Sequence, residues 1–220
     1  MLEDVWPELA KAFATGVLAG GASALIQSLA PTAALALRRL RARGVGDRIE
    51  RRLAAILAAD VVGYSRLMTA DEEGTHVRLL AYRREVIEPK IREHHGRIVK
   101  NTGDGAIVEF GSLVDAVRCA LAVQRVLAAR NALVPQGHRI ELRIGVNLGD
   151  VIVAPDDLYG HAVNLAARLE AIAPPGGICI SRDAWCHVRG VIEAEFVDLG
   201  ERPLKNITDP AHVYTIAPAA

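Results

Sequence analysis

The chain has 220 residues, 51% of them hydrophobic, and its 26 basic side chains balance 26 acidic ones. That length and apolar content suit one domain of ordinary size plus an appendage, and they exclude a disordered chain. A formal net charge of zero excludes a global field for nucleic acid, so no nucleic-acid partner is expected and any anionic ligand must be met locally.

The first 46 residues differ from the rest. No charged side chain occurs from Ala12 to Leu37, and then Arg38, Arg39, Arg41 and Arg43 follow closely. A bilayer needs about 20 apolar residues, so residues 12–37 are long enough to cross one. Their Ala, Gly, Ser and Thr content, Gln27 and Pro31 speak against crossing, and the acidic flank of Glu3, Asp4 and Glu8 argues against a secretory signal. Two readings stay open: a membrane anchor, with the Arg cluster keeping the remainder at the cytoplasmic face, or an amphipathic or dimerising helix. Gly44, Gly46 and Asp47 read as a linker, after which residues 47–217 form the main domain.

"RRLAAILAADVVGY", residues 51–64, is ambiguous. Its alanines favour helix, whereas an apolar run ending at Asp60 suits a buried strand. Asp71, Glu72 and Glu73 place acidic residues at the start of a helix that runs towards His95 and Gly96, with Pro89 kinking it. "RIVKNTGDGAIVEF", residues 97–110, reads as a β-hairpin with Asp104 between two glycines at its tip. Val114 to Arg130 carries apolar residues at helical spacing. Arg139–Val146 and Asp150–Val153 read as strands around Asn147–Leu148–Gly149. The loop "APDDLYG" then leads into a helix from His161 to Ala173, which Pro174–Pro175–Gly176–Gly177 ends. Short strands and one small helix finish the chain.

Strand, helix, hairpin, helix, strand is the order of a ferredoxin-like α/β sandwich. In that layout the first strand lies beside the hairpin, and Asp60 can face Asp104. Such a carboxylate pair with open coordination positions is how proteins hold magnesium against nucleotide phosphates. Each residue also has a plainer reading, Asp104 as a turn residue and Asp60 as a strand end. Asn164 and Arg168, four apart, share a helix face. They are either a solvated polar stripe or an anion clamp, since Arg donates in a fixed fork. Cys119, Cys179 and Cys186 match no zinc spacing and read as reduced packing thiols.

Five separated stretches, "LAADVVGYSRLM", "VKNTGDGAIVEF", "RIGVNLGDVIV", "DLYGHAVNLAARLE" and "LGERPLKNI", together resemble the class III nucleotidyl cyclases, the adenylate and guanylate cyclase family. The resemblance spans roughly residues 50–217 and makes "AAILAAD" the first strand. It implies that Asp60 and Asp104 bind the metal, Mg2+ with Mn2+ able to substitute. Lys100 and Asp157 would read adenine, Asn164 orient the ribose, Arg168 stabilise the transition state at the α-phosphate, and Lys205 hold the terminal phosphates. His161 departs from the acidic or amide residue of many relatives, at a position without a catalytic role. The implied activity is conversion of ATP to cyclic AMP and pyrophosphate in a homodimer. A guanylate cyclase is disfavoured by Lys100 and Asp157, and a diguanylate cyclase by the absence of a Gly-Gly-Asp-Glu-Phe signature. A non-catalytic nucleotide-binding or dimerisation module would be expected to lack one of these residues.

Overall fold

The computed structural model of the chain describes residues 49–155 and 157–216; the expectations for residues 1–46 fall outside them. Strand β1, Arg51–Val61, settles the ambiguous stretch in favour of a strand. Its residues alternate between two buried environments. Ala55, Leu57 and Val61 enter one apolar cluster, and Ala54, Ile56 and Ala58 enter another. A segment buried on both faces reads as a continuous apolar run, and tertiary burial overrides the helix preference of alanine.

The chain continues through α1, Tyr64–Ala70, which the sequence did not announce, and α2, Glu72–Tyr82. Asp71 caps α2 by accepting from the Gly74 N–H at 2.9 Å, and it pairs with Arg78 at 3.1 Å. A π-helical turn, Arg83–Ile87, joins α2 to α3, Glu88–Glu93. The expected break at Pro89 therefore takes the form of a widened turn. Proline has no N–H, and its ring crowds the carbonyl four residues back. The hairpin follows as β2, Arg97–Asn101, and β3, Ala106–Phe110. Helix α4, Leu113–Asn131, is capped by Ser112 and buries Val117, Ala120, Val123 and Leu127.

Strand β4, Leu142–Val153, is continuous, which corrects the expectation of two strands around Asn147–Leu148–Gly149. Gly149 lies in register with Ala54, and a Cβ there would come within 3.0 Å of the Ala162 methyl. The glycine marks a close helix approach rather than a turn. The remaining elements are β5, Leu158–Tyr159; α5, His161–Ile172; β6, Ile178–Ser181; α6, Arg182–Val188; β7, Phe196–Arg202; and β8, Ala211–Ile216.

The strands form one sheet in the order β2-β3-β1-β4-β6-β8-β7, with β5 added to β4. The first four strands of that order are antiparallel and are those of the ferredoxin-like sandwich. The main core, around Phe110, Leu127 and Ile144, lies between this sheet and α1 to α4 with α6. Helix α5 covers the other face through Ala162 and Ala166. Cys119 and Cys179 are buried as expected, but Cys186 is exposed and is not a packing residue. Among the described residues, no helix is long and apolar enough to cross a membrane.

Candidate active site

Two charged clusters gather four of the expected site residues, Asp60, Asp104, Lys100 and Asp157, on the sheet. The first lies where β1 ends and the hairpin turns. Ala59 of β1 is in register with Ala106 of β3, so Asp60 and the Thr102–Gly105 turn adjoin. Gly105 is buried there, and a Cβ on it would lie 2.5 Å from the Ala59 carbonyl and 3.0 Å from Asp60 Oδ1. Only a glycine lets the turn sit that close to the Asp60 carboxylate. Burial, and then the neighbouring Asp104 charge, push the Asp60 pKa above its ordinary value, with Arg143 opposing.

Arg143 and Glu170 complete this cluster, and the sequence reading had assigned neither a role. Arg143 lies opposite Asp60 in the β1–β4 ladder. Its Nε is buried with no hydrogen-bond partner among the described residues. Glu170 reaches the cluster because α5 presses on Gly145, where a Cβ would lie 2.2 Å from the Ala166 carbonyl oxygen and 2.3 Å from the Glu170 nitrogen. Burial, and then the Asp60 charge, raise the Glu170 carboxyl to about 7. A sequence signal for Arg143 existed, because it stands between the strand residues Leu142 and Ile144 and so points to the opposite face.

The cluster fits divalent cations. Two aspartates crowd together on one face of the sheet, half-buried, with mutual repulsion that a bound cation would relieve. Among the described residues no third His, Cys, Asp or Glu stands close enough to complete an all-protein site. Magnesium commonly keeps waters and substrate phosphates in its remaining positions, so two carboxylates suffice.

The second cluster pairs Lys100 with Asp157. Lys100 Nζ lies 2.8 Å from Asp157 Oδ2, and Asp157 Oδ1 accepts from the Leu158 N–H at 2.9 Å. These bonds hold the Asp157 pKa below its ordinary value and that of Lys100 above. Residues 57 apart in sequence thus meet at one point, on the face of the sheet that carries α5.

Asn164 and Arg168 stand apart from both clusters. At 100° per residue they project from the side of α5 opposite Ala162 and Ala166, the residues that face the sheet. Asn164 is exposed and Arg168 half-buried. Among the described residues, no hydrogen bond or ion pair joins either of them to Asp60, Asp104, Lys100 or Asp157. Lys205 is exposed in the loop after β7, and the following residues, Asn206 to Ala211, line a cavity of about 320 Å³ with His161 and Leu165 of α5. His161 itself is exposed at the helix start.

A sandwich of this topology, with two crowded aspartates at a strand end and hairpin, places a carboxylate pair where a divalent cation could be held. The chain belongs to the adenylate and guanylate cyclase catalytic domain family, whose profile matches residues 50–217. It is 53% identical over 172 residues to the Rhizobium meliloti protein named "Putative adenylate cyclase 3", covering 78% of this chain and 29% of that one. A Streptomyces coelicolor "Adenylate cyclase" is 31% identical over 148 residues, 67% of this chain and 37% of the relative. The chain thus spans well under two thirds of the length of these relatives. Among solved structures, the adenylate/guanylate cyclase/hydrolase from Silicibacter pomeroyi is 45% identical with a TM-score of 0.74, covering 78% of this chain and all of that one. The adenylyl cyclase CyaB from P. aeruginosa shares the fold at 22% identity and a TM-score of 0.65, over 79% of this chain and 97% of its own.

Proposed function

We propose that residues 47–217 are the catalytic domain of an adenylate cyclase, which converts ATP to cyclic AMP and pyrophosphate in a site shared between two copies of the chain. The choice of ATP rests on the Lys100–Asp157 pair. Asp157 accepts from the adenine 6-amino group, while Lys100 steers that carboxylate and meets the ring. Guanine would present an oxygen at position 6, facing a carboxylate with no proton to give.

Asn164 orients the ribose so that its 3′-oxygen lies in line with the α-phosphorus. As that oxygen gives up its proton to solvent and bonds to phosphorus, the bond to the bridging oxygen breaks and pyrophosphate leaves with the electron pair. Arg168 donates to the charge developing on the α-phosphate, and Lys205 holds the terminal phosphates. Asp60 and Asp104 would hold Mg2+, or Mn2+ in its place, and such ions lower the pKa of the attacking hydroxyl and neutralise the triphosphate. The two-chain site is supported by α5, which turns Asn164 and Arg168 away from the face bearing the aspartates. A homodimer with two equivalent sites follows. The substrate is cytoplasmic ATP, and residues 12–37 are the segment to test for attachment to the inner face of the membrane.

Competitive turnover of ATP and GTP tests the assignment. A site built around one hydrogen bond discriminates by up to about 10⁴-fold, and we expect less because Lys100 can partly satisfy the guanine oxygen. ATP should be preferred in kcat/KM, and Lys100→Glu with Asp157→Cys should collapse that preference. A wild-type preference for GTP, or a ratio unmoved in the double variant, would refute the roles given to Lys100 and Asp157.

A further inference from the structure

Arg83 opens the π-helical turn on the face of the sheet opposite α5 and has no part in the mechanism above. Its guanidinium nonetheless reaches the turn that carries Asp104. Arg83 Nη2 donates to the Gly103 carbonyl and, at 3.5 Å, to the Gly105 carbonyl. The two acceptors flank Asp104 on either side. Within the turn the backbone supplies one further restraint, the Thr102 N–H to the Gly105 carbonyl at 3.0 Å. Gly103 has φ of +94°, Thr102 and Gly103 are exposed, and a Cβ on Gly103 would touch nothing. Gly103, exposed and without a side chain to pack, would leave the backbone leading into Asp104 free to move were it not tied from below.

The route to that tie runs through Pro89. The Glu88 N–H, one residue before the proline, closes the widened turn by bonding to the Arg83 carbonyl five residues back. Arg83 sits at the first position of the widened turn. It lines a small cavity of about 30 Å³ with Asp104, Gly105, Ala59 and Asn101. Single π-helical turns inside α-helices are rare and collect at functional sites.

We infer that Arg83 is a positioning residue for Asp104: it clamps the carbonyls on both sides of that aspartate and so fixes a metal ligand that its own turn leaves loose. The inference rests on the metal role proposed for Asp104, but its first readout does not. Groups that orient a metal ligand typically change metal affinity or activity by 10- to 100-fold when removed.

The test compares wild type with Arg83→Met, which keeps the length and loses the donors, and Arg83→Lys, which keeps one charge. Hydrogen exchange on the metal-free full chain should show faster exchange of amides 102–106 in Arg83→Met, with α4 and β4 unchanged. In turnover of ATP, the Mn2+ concentration giving half-maximal rate should rise about tenfold at saturating nucleotide. Arg83→Lys should recover part of both effects. Unchanged exchange at 102–106 would overturn the clamp whatever the activity of the protein. Faster exchange throughout the domain would reduce Arg83 to a general stabilising residue. Faster exchange confined to the turn, with metal dependence unmoved, would detach the clamp from metal binding.

Discussion

The two charged clusters of the sheet are built on opposite electrostatic plans. Lys100 and Asp157 have opposite signs, meet at 2.8 Å, and shift each other's pKa towards the charged forms. Asp60, Asp104 and Glu170 have the same sign, are partly buried, and push Asp60 and Glu170 towards the neutral forms. The first cluster is complete in the isolated chain and can orient a neutral hydrogen-bonding ring. The second carries a repulsion that only added positive charge removes, with Arg143 supplying a part of it. In the proposed two-chain site, one chain supplies the electrostatically unfinished cluster and its partner the rigid pair, so each site uses both plans.

Breaking the unfinished cluster should have the largest effect. Asp104→Ala deletes one of two metal carboxylates and should remove nearly all cyclic AMP production, while circular dichroism reports an intact fold. Arg168→Ala should be as inactive for a different reason, the loss of the transition-state donor. If the two act from different chains, an equal mixture of the inactive variants should recover about a quarter of wild-type turnover. Half of randomly formed dimers are hybrids, and each hybrid holds one complete site of two. Hybrid dimers that form and stay inactive would place the whole site within one chain.

Lifting α5 should separate the clusters next. Gly145→Ala sets a methyl against backbone atoms of Ala166 and Glu170, which cannot rotate away as a side-chain tip could. We expect a loss of about 2–3 kcal/mol of stability, as for overpacked cores. Movement of α5 should displace Glu170, Asn164 and Arg168 together, yet leave the Lys100–Asp157 bond intact. Urea unfolding measures the first effect. A nucleotide-binding assay measures the second, in which the adenine preference should survive while turnover falls.

The contrast between the clusters also explains what could be read from the sequence. The sandwich was legible from the order of elements, because apolar period and turn residues are local signals. The strand identity of residues 51–61 was legible only through the motif resemblance, since alanine speaks for helix until burial on both faces overrules it. Gly149 looked like a turn and proved to be a contact point, because one letter cannot distinguish backbone freedom from lack of volume. Asp60, Asp104, Lys100 and Asp157 stood out through motif resemblance, and the fold brings them together as two pairs. Arg143, Glu170 and Arg83 were overlooked because their meaning lies in register and helix phase. Arg143 matters as the partner of Asp60 across the ladder, Glu170 through the glycine beneath α5, and Arg83 through a widened helical turn.

Glu170 offers the finest probe of the unfinished cluster, through the stability of the metal-free protein. Its carboxyl has an ordinary value of 4.5 and is raised to about 7 in the fold, chiefly by burial and then by Asp60. Below 4.5 the group is protonated both folded and unfolded, so it adds no pH dependence. Between 4.5 and 7 the unfolded chain releases the proton while the folded chain keeps it, which favours unfolding as pH rises. Above 7 both forms are ionised and the penalty levels off. One pKa unit corresponds to about 1.4 kcal/mol, and solvent at the open side of a half-exposed group reduces the sum to roughly 1–2 kcal/mol. Glu170→Gln removes the charge and keeps the shape. Its urea midpoint should match that of wild type near pH 4.5 and exceed it at pH 8. Adding Mn2+ with a non-hydrolysable ATP analogue at pH 8 should shrink the gap, because the added cations stabilise the ionised carboxylates of the wild type. A gap that is constant from pH 4.5 to 8 would mean that the fold does not raise the Glu170 carboxyl.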